Sequence, residues 1–290
     1  MAKKQEAPVA DTTDVATVDQ AGQLAVAAQM AAMVAADATS NATGFEEADS
    51  SAFAIPFIQI LQSGSPQCKR SEGAYIPGAH EGMFFNTVTQ ELFEGEDVTD
   101  DKTGEVKKGG ILLIPCHFTQ RFIEWKLRDE GGGFVAEHKP TDPIVLTTTK
   151  DEENRDRLPN GNVLVDTRNH YVLHVKPDGT YDPAVVTMSS TQLKKSRNWM
   201  SKMQQLKIKV AGKFAVAPMA SHIYAAKTVA ESNEKGAWMG WSIALANPVA
   251  DPALYAAAQD FRTAIIQGIA KAAPPVNPVG GEASSDGEQF

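Results

Sequence analysis

At 290 residues with 42% apolar side chains, the chain is long enough to build one large or two small hydrophobic cores. A formal net charge of -9 excludes a surface that is basic all round, so any polyanion would have to be taken up on a local patch. No run of eighteen apolar residues is present to span a bilayer, and Lys3 and Lys4 lead into Glu6, Asp11 and Asp14 where a secretory signal would turn apolar.

Residues 1–50 are rich in Ala, Thr, Asp and Gln, with Phe45 as their one aromatic. Such a segment buries too little apolar surface to offset its ordering entropy, so a mostly disordered arm is expected, with one helix over Gln20 to Ala36. The folded region, residues 51–272, opens with a β segment from Phe53 to Gln62 closed by Gly64 and Pro66, then a strand over Gly82 to Thr89. A charged turn from Glu94 to Lys108 follows. Ile111 to Leu127 is the strongest strand. Its apolar positions are even at Leu112, Ile114, Cys116, Phe118 and Phe122 but odd at Ile123, Trp125 and Leu127, a phase change that predicts a bulge near Gln120 to Phe122.

The three glycines from Gly131 to Gly133 and the polar stretch Lys139 to Asn162 form a long connection with at most one short strand, Ile144 to Thr148. Asn162 to Val175 and Tyr181 to Met188 read as strands around the turn at Pro177, Asp178 and Gly179. Ser189 to Leu206 reads as a helix with Ser189 and Gln192 at capping-box spacing and Leu193, Trp199, Met200, Met203 and Leu206 on one side. Strands over Phe214 to Val229 and Gly236 to Leu245 follow, then a helix from Asp251 to Ala272 with Asp251 as N-cap and Pro252 at N1. Residues 273–290, opened by Pro274, Pro275 and Pro278, read as a flexible tail.

Charge is segregated along the chain. From Ala184 to Ala230 there is no Asp or Glu, while Lys194, Lys195, Arg197, Lys202, Lys207, Lys209, Lys213 and Lys227 all fall there. After Lys271 the reverse holds: no Lys, Arg or His, with Glu282, Asp286, Glu288 and a terminal Phe290. A concentrated basic face captures a phosphate backbone even on an acidic protein, so nucleic acid is the expected partner. Lys194, Lys195, Arg197, Lys202, Lys207 and Lys209 are the expected phosphate contacts, with Arg121, Trp125, Arg168 and Tyr171 as mixed cationic and aromatic strand positions. Phe118, Phe122, Trp199 and Tyr224 are further aromatics within reach, Trp199 reading first as core because it lies on the apolar stripe.

Enzymatic patterns are weak. His170 and His174 lie on one face of a strand but about 13 Å apart, too far to share a metal. Cys116 and His117 point to opposite faces of a regular strand, and Asp151, Glu152 and Glu153 sit among Arg155 and Arg157 as a solvated surface. The triple glycine lacks the Lys and Ser or Thr of a phosphate loop. Two cysteines, Cys68 and Cys116, read as small buried residues in a reducing compartment, so a cytoplasmic, non-enzymatic protein without cofactor or metal is expected.

Strands, one helix, then a closing hairpin is the element order of the oligonucleotide-binding barrel, so the expected fold is mainly β with α. It is an elaborated barrel with a helix between its third and fourth strands and a C-terminal helix. With its basic helix and Phe-ended acidic tail, the chain resembles bacteriophage single-stranded-DNA-binding proteins, as do the stretches Ile55 to Gln62, Gly82 to Asn86 and Phe122 to Trp125. That resemblance implies single-stranded DNA as ligand and replication or recombination proteins as partners of Asp286, Glu288 and Phe290. A single-strand annealing recombinase, and a virion or assembly protein whose basic window meets an acidic partner, stay open as alternatives.

Overall fold

The computed structural model describes residues 14–40, 44, 53–95, 98–99, 104, 106–107, 109–234 and 236–272. The chain divides into two compact units, Met1–Asp49 and Ser50–Phe290. In the first, helix α1 covers Asp14–Thr39, longer than the expected Gln20 to Ala36; the added residues are largely Asp, Val and Thr, whose low propensity is outweighed by propagation from the alanine-rich centre. Leu24, Val26, Met30, Met33 and Val34 are all more than half exposed, so the described side chains of α1 form no buried stripe.

The second unit is mainly β with helices, built on one curled open sheet. Among the strands of this unit are β1 (Phe57–Ile60), β2 (Phe84–Asn86), β3 (Leu92–Phe93), β4 (Ile111–Trp125), β5 (Phe134–His138), β6 (Val163–Val175), β7 (Tyr181–Ser189), β8 (Lys207–Val210), β9 (Lys213–Val216), β10 (His222–Asn233) and β11 (Gly236–Pro248). Helices α2 (Leu193–Gln205) and α3 (Pro252–Ile266) complete it. The sheet order is β11-β10-β4-β6-β7-β1-β2-β3, antiparallel throughout except for the parallel β7–β1 pair. β10 pairs with Ile111 to Leu113 of β4, and β5 with Phe122 to Trp125. β8 and β9 form a separate hairpin.

Side-chain alternation along the central strands builds two cores. Leu113, Val172 and Val186 join Trp199 and Met203 of α2 in one cluster. Their neighbours Ile114, Leu173 and Val185 join Leu254, Ala258 and Phe261 of α3 in the other. α3 is capped as its sequence predicts: Asp251 accepts the Ala253 N–H at 2.8 Å and Pro252 occupies the first turn. It ends earlier than the expected Ala272, with Gly268 at φ 72°.

The curl brings the two ends of the sheet together. Gln62, just past β1, donates from Nε2 to the Met239 carbonyl at 3.0 Å and accepts the Met239 N–H on Oε1 at 2.8 Å. Phe84 stacks on Trp241 with ring centroids 4.9 Å apart. Thr228 donates its hydroxyl to the Gly82 carbonyl and its N–H to the Gly95 carbonyl, both at 2.8 Å. A Cβ on Gly95 would collide with the Gly82 carbonyl and the Thr228 side chain, so this seam requires glycine.

Several expectations are corrected. The bulge in β4 lies at Cys116, since His117 pairs with Tyr171 and Pro115 with Val172; Pro115 has no N–H for the ladder, which breaks regular pairing there and not at Gln120 to Phe122. Cys116 and His117 consequently share a face, Cys116 in the α3-side core and His117 against Tyr171, 5.9 Å between rings. Burial pushes the Cys116 thiol up to about 12, whereas Cys68 is only half-buried. Residues Pro143–Thr147 form a 3₁₀ turn where a strand was expected, and β5 arises beyond the glycines where none was. The expected strand Phe214 to Val229 is divided at Pro218 and a 3₁₀ turn over Met219–Ser221, so Phe214 belongs to β9.

Candidate functional site

Helix α2 is amphipathic. Ser196, Trp199 and Met203 are buried at three- and four-residue spacing, which turns Lys194, Arg197 and Lys202 into solvent. None of these three is in an ion pair among the described residues. The expected capping box does not form. Ser189 makes no side-chain cap, and the Gln192 side chain reaches across to accept the Trp241 N–H at 3.0 Å, covering the open edge of β11.

Between α2 and the β10–β11 hairpin runs a groove lined by Lys194, Lys195, Asn198, Glu231, Ser232 and Trp238. It continues past Lys202 to Ser242 and Ile243. Glu231 and Trp238 face each other as a cross-strand pair, fixed by the turn that closes the hairpin at Asn233 and Gly236. Glu231 accepts from Trp238 Nε1 at 3.0 Å and Gln192 Nε2 at 3.3 Å, and pairs with Lys195 Nζ at 2.5 Å. Burial acts to raise the Glu231 carboxyl, but these donors outweigh it and hold its pKa below the ordinary value. Gly240 leaves room for the carboxylate, because a Cβ there would meet it.

The β8–β9 hairpin extends the basic surface. Its register sets Lys207 opposite Val216 and Lys209 opposite Phe214, placing two ammonium groups on the face that carries Phe214, 78% exposed. Lys207 Nζ donates to the Gln204 carbonyl at 3.1 Å.

The strand positions expected to join this surface are otherwise occupied. Trp125 is buried and packs edge-on against Phe134, and Trp199 and Tyr224 are core, so these rings are not available for stacking on a ligand. Arg121 is bonded to Glu137 at 2.7 Å, and Arg168 lies 3.7 Å from Asp166 with its Nε buried. Tyr171 packs on the α3-side core against Phe261, and burial raises its phenol. Phe118 and Phe122 are half-buried. Asp286, Glu288 and Phe290 lie outside the described residues. Sequence reasoning did not single out Trp238; its signal was the hairpin arithmetic that sets it opposite Glu231.

Several other titratable groups are engaged with their neighbours. His170 and His174 are both buried, His170 donating to or accepting from Ser196 Oγ at 2.8 Å and stacking on Trp199 at 4.5 Å. Burial, with Arg168 nearby, lowers the His170 pKa to about 3. Glu124 is buried among His138 at 2.8 Å, Asn160 at 2.9 Å and Asn162 at 2.5 Å, four polar side chains that satisfy one another. Asp151 holds Arg155 and Arg157 at 2.8 and 2.9 Å on the surface; burial opposes its ionisation, the guanidinium groups and the Arg155 N–H favour it more, and its pKa falls to about 2. No group of three or more His, Cys, Asp or Glu among the described residues is placed to hold a metal. No helix among them is long and apolar enough to cross a membrane.

No curated protein matches the chain. No solved structure matches it either. A family model does, over residues 21–271: that of the Pam3 phage gp34-like protein. The chain therefore belongs to the Pam3 phage gp34-like protein family.

Proposed function

We propose that this protein binds single-stranded DNA without sequence preference, in phage DNA replication or recombination. The observation that carries the reading is the solvent-facing row of Lys194, Arg197 and Lys202 on α2, free of ion pairs among the described residues, beside a groove and within a window devoid of acidic residues. Lys207 and Lys209 on the hairpin continue it. Cations arranged in this way release counterions from a phosphate backbone, and the acidic remainder of the chain confines a polyanion to this side.

The connectivity supports an oligonucleotide-binding barrel as the underlying fold. β4, β6 and β7 form a three-stranded meander, α2 follows, and the β10–β11 hairpin returns to set β10 beside β4. In this reading β1 is an added strand at the closure, parallel to β7 and joined through Gln62 to β11. The resemblance of the tail to those of phage single-strand binders assigns recruitment of replication or recombination proteins to Asp286, Glu288 and Phe290.

The test is fluorescence anisotropy of a labelled poly-dT oligonucleotide at low and high salt with duplex DNA as competitor. Salt-sensitive binding that duplex fails to displace supports the reading. Absence of binding at low salt would remove it and leave a structural or assembly role.

A further inference from the structure

Trp238 is set apart from the other three tryptophans of the chain. Trp125, Trp199 and Trp241 are 6%, 2% and 3% exposed, whereas Trp238 is half-buried and lines the groove. Its indole edge is committed: Nε1 donates to Glu231 Oε2 at 3.0 Å, and Glu231 is in turn held by Lys195 and Gln192. A ring fixed by its edge loses little freedom when something stacks on its face, which is the condition of a pre-organised platform.

The two walls of the groove also differ in charge. The α2 wall presents Lys194 and Lys202, with Lys195 committed to Glu231, while the hairpin wall presents an aromatic ring beside that paired carboxylate. Phosphates are drawn to the cations of the first wall, unpaired among the described residues, while the second, where Glu231 is neutralised by Lys195, offers them no cation and offers an uncharged, flat base the indole. We infer that Trp238 is the base-stacking platform of this groove, taking one nucleobase of a single strand whose phosphates lie along α2, with Glu231 as the residue that positions the indole. The inference rests on the nucleic-acid reading above and deepens it, by assigning the orientation of the strand across the groove.

The test follows intrinsic tryptophan emission and labelled-oligonucleotide anisotropy in the same titration of the full chain with poly-dT. Stacking on Trp238 quenches emission in step with the rise in anisotropy. Trp238→Phe keeps a ring and the fold, so it is expected to bind with the quench abolished; Trp238→Ala is expected to bind roughly tenfold more weakly or worse. Glu231→Gln keeps an acceptor for the indole and is expected to retain the quench, whereas Glu231→Ala is expected to reduce it at equal saturation. Binding by anisotropy with no quench, or a quench that survives in Trp238→Phe, would overturn the assignment while leaving the nucleic-acid reading intact. A flat anisotropy trace at low salt would overturn both.

Discussion

Gln62 replaces a missing neighbour strand for Met239, with one side-chain amide making both of that residue's backbone hydrogen bonds at 2.8 and 3.0 Å. β11 is the last strand of the sheet on that side, and Gln192 covers the next N–H along its edge, that of Trp241. Two glutamines from distant parts of the chain thus do what pairing would otherwise do. Gln62→Leu leaves the Met239 N–H and carbonyl without these partners and is expected to cost about 1–3 kcal/mol, read as a lower urea midpoint at unchanged m-value.

The salt dependence of oligonucleotide binding reports how many cations act. Lys194→Ala, Arg197→Ala and Lys202→Ala are each expected to reduce the slope of log K against log salt by about 0.7, the single-strand increment per phosphate. Their stability should stay within about 0.5 kcal/mol of the parent, because all three side chains are exposed. Anisotropy titrations over a salt series provide the check.

Phe214 is expected to contribute to the ligand surface and not to the fold. It is 78% exposed on a two-stranded hairpin, opposite Lys209. Phe214→Ala should weaken poly-dT binding several-fold with thermal midpoint unchanged within about 1 °C, since exposed positions contribute little to stability. Loss of thermal stability without change in binding would assign the ring to packing.

Acid should destabilise the protein through His170. Its folded pKa is lowered to about 3, with burial the main cause, from an ordinary 6.5. Between these values the unfolded chain takes up the proton and the folded chain does not, so stability falls as pH drops from 6.5 toward 3 and levels off below. His117 and His174, also lowered chiefly by burial, act in the same direction. His170→Gln is expected to flatten this dependence relative to the parent, measured as urea midpoints across that range.

The long strands were legible as apolar runs between turn residues: Val172 and Leu173, or Val185 and Val186, serve opposite cores, so both faces call for apolar, largely β-branched side chains. α3 was legible at its start, where Asp251 and Pro252 leave few alternatives. Hydrophobic phase points to the wrong place for the bulge, because its physical cause is the missing N–H of Pro115 and not a change of apolar face. The separation of β9 from β10 was likewise written in Pro218 but masked by apolar residues on both sides.

The site divides in the same manner. Helical spacing identified the outward face of α2, because Trp199 and Met203 fix which side is buried. Strand aromatics could not be sorted this way: Trp125 and Tyr171 alternate like any core residue, and only their partners Phe134 and Phe261, distant in sequence for Tyr171 and beyond an unexpected strand turn for Trp125, reveal how they pack. Trp238 is hidden in the sequence for the opposite reason. Its strand neighbours Met239 and Trp241 are core residues, and nothing in composition separates it from them.

The bulge at Cys116 has a bearing on which length changes β4 could absorb. With Pro115 opposite Val172 and His117 opposite Tyr171, Cys116 has no opposite number on β6. Removing it would join two stretches that already pair in register, so every other side chain from Ile111 to Trp125 would keep its partner and its face. Because Cys116 and His117 share a face, excision of His117 would set Cys116 opposite Tyr171 and restore register equally, whereas excision in the middle of either paired stretch would turn part of the strand inside out. A one-residue deletion scan across the interior of β4 would therefore show its tolerance confined to these two neighbours, at the cost of the contacts of the residue removed and of the extra twist that the insertion adds.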